Sequence, residues 1–219
     1  MNCVVTAGPT YESLDDVRRL TNFSTGRLGS ELGNFLVERG HQVTLLIGQQ
    51  ATYRGERHAH HLETFTTTAN LIEHLRALAS QTKAPVDAIF HAAAVSDFTF
   101  GKVFGRGPSG ELHEITSGKF STRHGTLLVE LVPTPKIISE LRHWFPEALL
   151  VGWKFEIDGD RANALAKAQQ QLAENRTDAC VANGRAYGEG FGLVTPANPL
   201  HHCANMKELF VALEGLLRI

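Results

Sequence analysis

The chain has 219 residues, of which 42% are hydrophobic and 20% charged, and its formal net charge is −2. That length suits one α/β domain with a sizeable core, and the charge gives no reason to expect a nucleic-acid partner. No apolar run approaches the roughly 20 residues that span a bilayer, and the amino terminus enters a strand at once, without the basic start and long apolar segment of a signal peptide.

Strand and helix patterns then alternate. Cys3–Ala7 reads as a first strand that ends in a tight turn at Gly8-Pro9-Thr10. A long insertion carrying Glu12, Asp15, Asp16, Arg18 and Arg19 follows, where an ordinary dinucleotide fold has a short glycine loop. Leu28–Arg39 has a helical period through Leu28, Leu32, Phe35 and Leu36, and Gly40 ends it. Gln42–Ile47 is a strand, 49–61 a loop rich in His and Arg, and Leu62–Thr66 a short strand. Thr68 is placed to cap a helix through Ala79. Ala88–Val95 is apolar on both faces, as a central parallel strand is. From Phe98 to Ser121 the helical pattern disappears, and two strand-like pieces, Leu112–Ile115 and Leu127–Val132, flank a Gly/Ser/Lys turn. Thr134 is placed to cap a helix through Trp144. Leu149–Phe155 is a strand, Arg161–Glu174 an alanine-rich helix, and Ala179–Ala182 and Phe191–Val194 are strands. Asn205 caps a closing helix, Lys207–Leu217.

This alternation predicts an α/β fold with a doubly wound, mostly parallel Rossmann-like sheet, helices on both faces and a β excursion near residues 100–132. Ligands of such sheets bind at the carboxyl ends of the strands, where strand order reverses. The first turn, the Ala92–Asp97 segment and the Trp153–Glu156 segment should converge there. Cys3, Cys180 and Cys203 are odd in number and scattered; Cys3 and Cys180 sit in strand-like runs and read as buried reduced thiols, which suits a reducing cytoplasm.

Several stretches bear on chemistry. Asn22-Phe23-Ser24-Thr25-Gly26-Arg27-Leu28-Gly29 opens the first helix with small polar residues, and free N–H groups at such a start suit a phosphate. Ser24 and Thr25 also read as plain helix caps. His91-Ala92-Ala93-Ala94-Val95-Ser96-Asp97 runs from a strand into small residues that let a ligand approach the backbone; Asp97 suits a ribose hydroxyl, a metal-bound water or the cap of the next turn. Lys119, in a polar turn, is either a solvated lysine or a charge that folds over a phosphate-rich site. An NADP-dependent reductase is a competing reading through Arg54 and Arg57, but no carboxylate ends the second strand at Ile47-Gly48-Gln49-Gln50, and the Tyr-x-x-x-Lys pair is missing. The histidines at 58, 60, 61, 201 and 202 fit no structural zinc spacing and read as solvated loop residues.

Taken together, Thr6–Thr10 with Glu12 and Asp15–Arg18, Asn22-x-Ser24-Thr25-Gly26-x-x-Gly29, Ala92–Phe98, Lys119-Phe120, Pro133-Thr134-Pro135, Gly152–Glu156 and Ala182-Asn183 resemble the phosphopantothenoylcysteine synthetase (phosphopantothenate–cysteine ligase) family of coenzyme A biosynthesis, in family order and over almost the whole chain. The resemblance implies one ligase domain over residues 1–219. It implies that a nucleoside triphosphate activates 4′-phosphopantothenate as an acyl nucleotidylate, which the amino group of L-cysteine attacks, with Mg²⁺ on the triphosphate. By motif, Asn22 holds the acyl nucleotidylate and Lys119 the triphosphate. Gly8, Ser24, Thr25 and Gly26, the backbone of His91, Ala92 and Ala93, and Asp97 hold the nucleotide, with Trp153 and Phe155 near its base. Pro9, Thr10, Ala94 and Asn183 line the substrate pocket. The metal ligands are left open.

The resemblance further implies a homodimer, which the apolar residues Leu127, Leu128, Val129 and Leu131 also suggest. The chain has no room for the flavin-dependent decarboxylase that many bacteria fuse to this domain, so a ligase without flavin and a separate decarboxylase are expected. Neither a membrane nor nucleic acid is expected as a partner. Two departures from the pattern that the resemblance implies stand out: Gly184 replaces the usual acidic residue after Ala182-Asn183, and Lys154-Phe155 replaces the small residues common in bacteria; they keep open a non-catalytic relative that binds a phosphorylated ligand. With Gln169-Gln170-Gln171 in a helix that carries lysines in CTP-using relatives, the choice between ATP and CTP is open and leans to ATP.

Overall fold

The computed structural model describes residues 1–81 and 84–218. The chain runs β1 (Asn2–Ala7), a short hairpin β2 (Tyr11–Ser13) and β3 (Arg19–Thr21), α1 (Arg27–Glu38), β4 (Gln42–Gly48), β5 (His61–Phe65), α2 (Thr68–Ala79) and β6 (Ala88–His91). It continues through β7 (Phe98–Arg106), β8 (Leu112–Glu114), β9 (Leu127–Pro133), α3 (Ile137–Trp144), β10 (Leu149–Phe155), α4 (Arg161–Asn175), β11 (Ala179–Asn183), β12 (Phe191–Val194), β13 (His201–Cys203) and α5 (Met206–Gly215).

Eight strands form the main sheet in the order β13-β12-β11-β10-β6-β1-β4-β5. The run from β11 to β5 is parallel, and β12 and β13 are added antiparallel at one edge. The chain moves outward from β1 through β4 to β5, then returns to lay β6 on the other side of β1. The β1/β6 boundary is therefore the switch point where such a sheet opens a crevice. This is the α/β architecture that the alternation predicts.

Side chains alternate across the strands, so each strand feeds two cores. Val5 and Ala7 of β1, Phe90 of β6 and Val151 of β10 join Leu32 and Leu36 of α1 and Leu209 and Leu213 of α5 on one face. Val4, Ile89 and Leu150 join Leu71 and Leu75 of α2 and Ile137 and Leu141 of α3 on the other. Each fully buried leucine contributes on the order of 1.5–3 kcal/mol. Cys3, Cys180 and Cys203 are buried free thiols, and burial pushes Cys3 and Cys180 up to about 12. No helix of the described residues is long and apolar enough to cross a membrane.

Several boundaries differ from the sequence reading. The central strand stops at His91 rather than Val95, because Ala94 leaves the ladder to bridge Pro9. The insertion after β1 is a hairpin. The excursion starts with a nine-residue strand, β7, that pairs with both β8 and β9. Thr67, not Thr68, caps α2, accepting from the Asn70 N–H. Thr134 caps nothing: α3 starts after Lys136, and the Thr134 hydroxyl donates to the Ser96 carbonyl. β13 adds an edge strand that carries no apolar pattern.

Candidate active site

The crevice is built where β1 and β6 end. Gly8 has φ of +76°, and a Cβ there would lie 2.9 Å from the Ala51 Cβ. Gly26, also at φ +76°, lets the start of α1 settle on that turn: a Cβ would lie 2.9 Å from Ile47 Cδ1 and 3.3 Å from the Gly8 Cα. Gly26 itself occupies the cap position, so the Ser24 and Thr25 side chains do not cap the helix in the usual way. The Thr25 hydroxyl accepts from the Arg27 N–H, at 3.2 Å. The first turn of α1 starts against the Gly8 turn, and the amides of a helix start bind anions.

The turn after β1 is zipped to the segment after β6. The Ala94 N–H donates to the Gly8 carbonyl at 3.0 Å, and the Thr10 N–H donates to the Ala94 carbonyl at 3.2 Å. Asn22, just past the hairpin, donates its side-chain amide to the carbonyls of Ala94 (3.3 Å) and Val95 (3.1 Å). Gly8, Pro9, Thr10, Asn22, Ser24–Gly26 and Ala92–Ala94 thus meet in one place. Asn22 Oδ1 is the atom of this amide left to accept from a ligand.

Beneath them lies a buried polar network that the sequence reading did not assign. Glu12 is 7% exposed. Its carboxyl accepts from the Thr68 N–H at the start of α2 (3.0 Å) and from the Thr99 hydroxyl of β7 (3.2 Å). The Thr10 hydroxyl, fully buried, accepts from the Ser96 N–H at 2.8 Å and lies 3.4 Å from the Thr68 hydroxyl. The hairpin, α2, β7 and the segment ending at Asp97 are locked together by these contacts. The signal in the sequence was an acid in an otherwise unexplained insertion.

A cleft of about 170 Å³ opens beside β6 on the α3 side, lined by His91, Asp97, Thr134, Lys136, Trp153 and Lys154 among others. A second hollow of about 330 Å³ continues past Lys136 and Lys154 to Glu156, Lys167 and Glu174. Glu156 lies 2.5 Å from the Lys167 ammonium and 3.3 Å from that of Lys154. Burial acts to raise its carboxyl, but the two ammonium groups outweigh this and hold it below the usual carboxylate value.

Trp153 packs with the α1/α5 core, and its indole Nε1 is buried without a hydrogen-bond partner among the described residues. Asn183 Oδ1, at the end of the neighbouring strand β11, is in the same condition. A buried polar atom left without a partner costs free energy, and a bound ligand is one way to satisfy it. Phe155 is 65% exposed and points to the same side as Trp153, with Lys154 turned the other way.

Residues 1–209 match the family model described as the DNA/pantothenate metabolism flavoprotein C-terminal domain. The chain belongs to this family. The Coenzyme A biosynthesis bifunctional protein CoaBC of Thermococcus kodakarensis is 32% identical over 187 residues, which make up 84% of this chain and 42% of that protein. The chain therefore spans less than half the length of this curated relative. The crystal structure of the DNA/pantothenate metabolism flavoprotein from Streptococcus pneumoniae matches with a TM-score of 0.83 at 24% identity, over 100% of this chain and 98% of that one. A Cab2 variant in complex with phosphopantothenate-cysteine matches with a TM-score of 0.72 at 21% identity, over 99% of this chain and 87% of that one. These two likenesses concern the fold.

At Gly184, where the resemblance leads to the expectation of an acid, a side chain does not fit. Gly184 has φ of +105°, and a Cβ would lie 2.4 Å from the Glu156 carbonyl oxygen. The strand ends of β10 and β11 close here through the Glu156 N–H to the Asn183 carbonyl and the Ala186 N–H to the Glu156 carbonyl, leaving no room for a side chain.

Lys119 is not brought beside Asn22. Its loop is pinned to the tip of the β2–β3 hairpin: the Phe120 N–H donates to Asp15, Arg18 donates to the Phe120 carbonyl, and the Asp16 N–H donates to the Gly118 carbonyl. Asn22 lies at the hairpin's base, so about 10 Å or more of strand separates the two at roughly 3.3 Å per residue. Desolvation acts to raise the Asp15 carboxyl, but the N–H groups of Phe120, Val17 and Arg18 and the Arg18 guanidinium together hold it below its ordinary value. Lys119 itself is exposed.

Proposed function

We propose that residues 1–219 form one ligase unit that joins 4′-phosphopantothenate to L-cysteine at the expense of a nucleoside triphosphate. The observation that carries this reading is the meeting of an anion-ready helix start at Gly26 with the Asn22-tied segment at Ala94 and Val95, at the switch point of the sheet. The name CoaBC of the relative and the phosphopantothenate-cysteine bound to Cab2 support the same substrates.

In the first step a carboxylate oxygen of phosphopantothenate attacks the α-phosphorus and pyrophosphate leaves. In the second, the cysteine nitrogen attacks the acyl carbon, loses a proton and expels the nucleoside monophosphate as the amide forms. The α1 amides and the Gly8 turn hold phosphate, Asp97 and the backbone of His91–Ala93 hold the nucleoside, and Trp153 with Phe155 flanks the base. Pro9, Thr10, Ala94, Asn22 and Asn183 position the acyl group. Lys119 offsets the negative charge of the triphosphate when its loop reaches the site.

Among the described residues no group of three or more His, Cys, Asp or Glu is placed to hold a metal ion. Mg²⁺ is held by one or two carboxylates plus phosphates and water rather than by a protein cage, and Asp97 in the cleft fits that part. When bound, Mg²⁺ would neutralise triphosphate charge.

The reading includes a cytoplasmic homodimer that covers the exposed Phe98, Leu131 and Val132 of β7 and β9. Sedimentation equilibrium at micromolar concentration tests the dimer, and a monomer contradicts it. Incubation with phosphopantothenate, cysteine, Mg²⁺ and either ATP or CTP tests the activity: pyrophosphate release dependent on phosphopantothenate is expected, with ATP accepted. No release with either triphosphate contradicts the ligase, and a kcat/KM for CTP more than about tenfold above that for ATP contradicts the lean to ATP.

A further inference from the structure

The side chain of His91 stands apart from the backbone role given to this segment. His91 is the last residue of β6, is 6% exposed, and lines the cleft with Asp97, Lys136 and Lys154. Its partner across the ladder is Gly152 of β10, which has no side chain to lay against the ring, and Lys154 two residues on lines the same cleft.

The hydrogen bonds favour one tautomer. His91 Nδ1 lies 2.9 Å from the Thr6 hydroxyl. The same hydroxyl accepts from the Ala93 N–H at 3.1 Å. A hydroxyl has one hydrogen to give, and Nδ1 is the acceptor that this pair of contacts offers it. The tautomer in which Thr6 donates to Nδ1 uses that hydrogen within this pair of contacts, and it leaves the ring proton on Nε2. Burial works in the same direction, holding the imidazole neutral down to about pH 4.

We infer that His91 is a neutral hydrogen-bond donor whose Nε2–H binds an acceptor oxygen of the substrates, phosphoryl or acyl, in this cleft. The inference rests on the ligase reading for the identity of those substrates. A neutral imidazole polarises an oxygen without adding an imidazolium charge. It also suits a wall that already carries Lys136 and Lys154. Thr6 is then a positioning residue: it sets the tautomer and ring angle, and the Ala93 N–H sets the hydroxyl.

Nitrogen-15 NMR of histidine-labelled protein tests this, with the His91 signals assigned by their loss in His91→Gln. At pH 7 the expected pattern is a neutral ring with the proton on Nε2. Addition of phosphopantothenate alone, or of ATP or CTP alone, should shift the Nε2 signal, and the ligand that does so identifies the oxygen's source. A ring protonated on Nδ1, a charged ring, or an Nε2 signal that none of these ligands moves overturns the inference. Kinetics add a second arm. His91→Gln, whose amide nitrogen reaches the Nε2 position, should keep kcat/KM within about tenfold, while His91→Leu should lose a further tenfold or more. Equal losses in the two variants overturn it. A wild-type enzyme that releases no pyrophosphate counts against the ligase reading instead, and leaves the NMR result standing for the donor. Should His91→Leu not fold, the wild-type titration decides alone.

Discussion

The crevice at the β1/β6 boundary and the three-stranded excursion β7-β8-β9 both carry candidate site residues, but they are built in opposite ways. The crevice is closed from within the chain. Thr10, Glu12, Thr68 and Ser96 are buried and bonded to one another or to backbone beneath it, and Asn22 is tied to Ala94 and Val95 above it. The excursion turns Leu112, Leu131 and Val132 to solvent and carries Lys119 on an exposed loop held at a hairpin tip. Groups that must be in place before a ligand arrives need a supporting shell of packed and hydrogen-bonded neighbours, and the crevice has one. On the Lys119 side, the loop is held to the hairpin through Gly118 and Phe120, and Lys119 itself is exposed.

Asn22→Asp probes the first region most sharply. An ionised carboxylate cannot donate to the Ala94 and Val95 carbonyls and repels them, so kcat/KM should fall by about 10²–10³ with the fold intact. Undiminished turnover would remove Asn22 from the mechanism. Lys119→Ala probes the second region. Loss of its charge should slow pyrophosphate release by about a hundredfold, near 3 kcal/mol of barrier, while an exposed loop truncation changes stability by no more than about 0.5 kcal/mol. Unchanged release with a lower melting temperature would make Lys119 structural.

Glu12→Ala breaks the comparison from beneath. It leaves the Thr68 N–H and the Thr99 hydroxyl without their acceptor, which should cost about 2–3 kcal/mol and lower Tm by about 4–12 °C for a chain of this size. A variant that melts like the wild type would mean that the network does not hold the crevice. The smallest effect is in pH. The His91 ring titrates at about 4 in the folded chain and near 6.5 unfolded, so the unfolded state takes up the proton first as pH falls. The stability from this group is whole above about pH 6.5 and is lost progressively towards pH 4, about 2 kcal/mol between pH 8 and pH 5. The difference between wild type and His91→Gln in thermal melts across that range reads it; parallel curves would contradict the burial of a neutral ring.

The parallel sheet was legible because its strands are apolar on both faces and are separated by helices with clear periods and caps, as at Asn205. β7 was not. A ladder irregularity between Phe100 and Val103 breaks its two-residue period, so its aromatic residues do not stay on one face. The hairpin strands β2 and β3 are three residues long and polar, too short for a pattern to show. In the site, the glycine turns were legible from the helix-start motif and the resemblance pointed to Asn22, because both lie in runs of neighbouring residues. The Glu12 contacts were not: its partners Thr68 and Thr99 lie 56 and 87 residues away, and only the fold brings them to the carboxyl. The Lys119 motif was legible, but its place at the far end of the hairpin follows from Asp15 and Arg18 contacts of the same non-local kind.

The acyl nucleotidylate is the centre of this account, and isotope transfer tests it directly. Phosphopantothenate carrying oxygen-18 in its carboxylate is incubated with the protein, L-cysteine, Mg²⁺ and ATP or CTP, and the products are weighed by mass spectrometry. A carboxylate oxygen that attacks the α-phosphorus leaves with the nucleotide when cysteine displaces it, so one labelled oxygen should appear in the nucleoside monophosphate for each amide formed. Amide formed with the displaced labelled oxygen in inorganic phosphate, and none in the monophosphate, would contradict the nucleotidylate and place the activation at the γ-phosphoryl group instead.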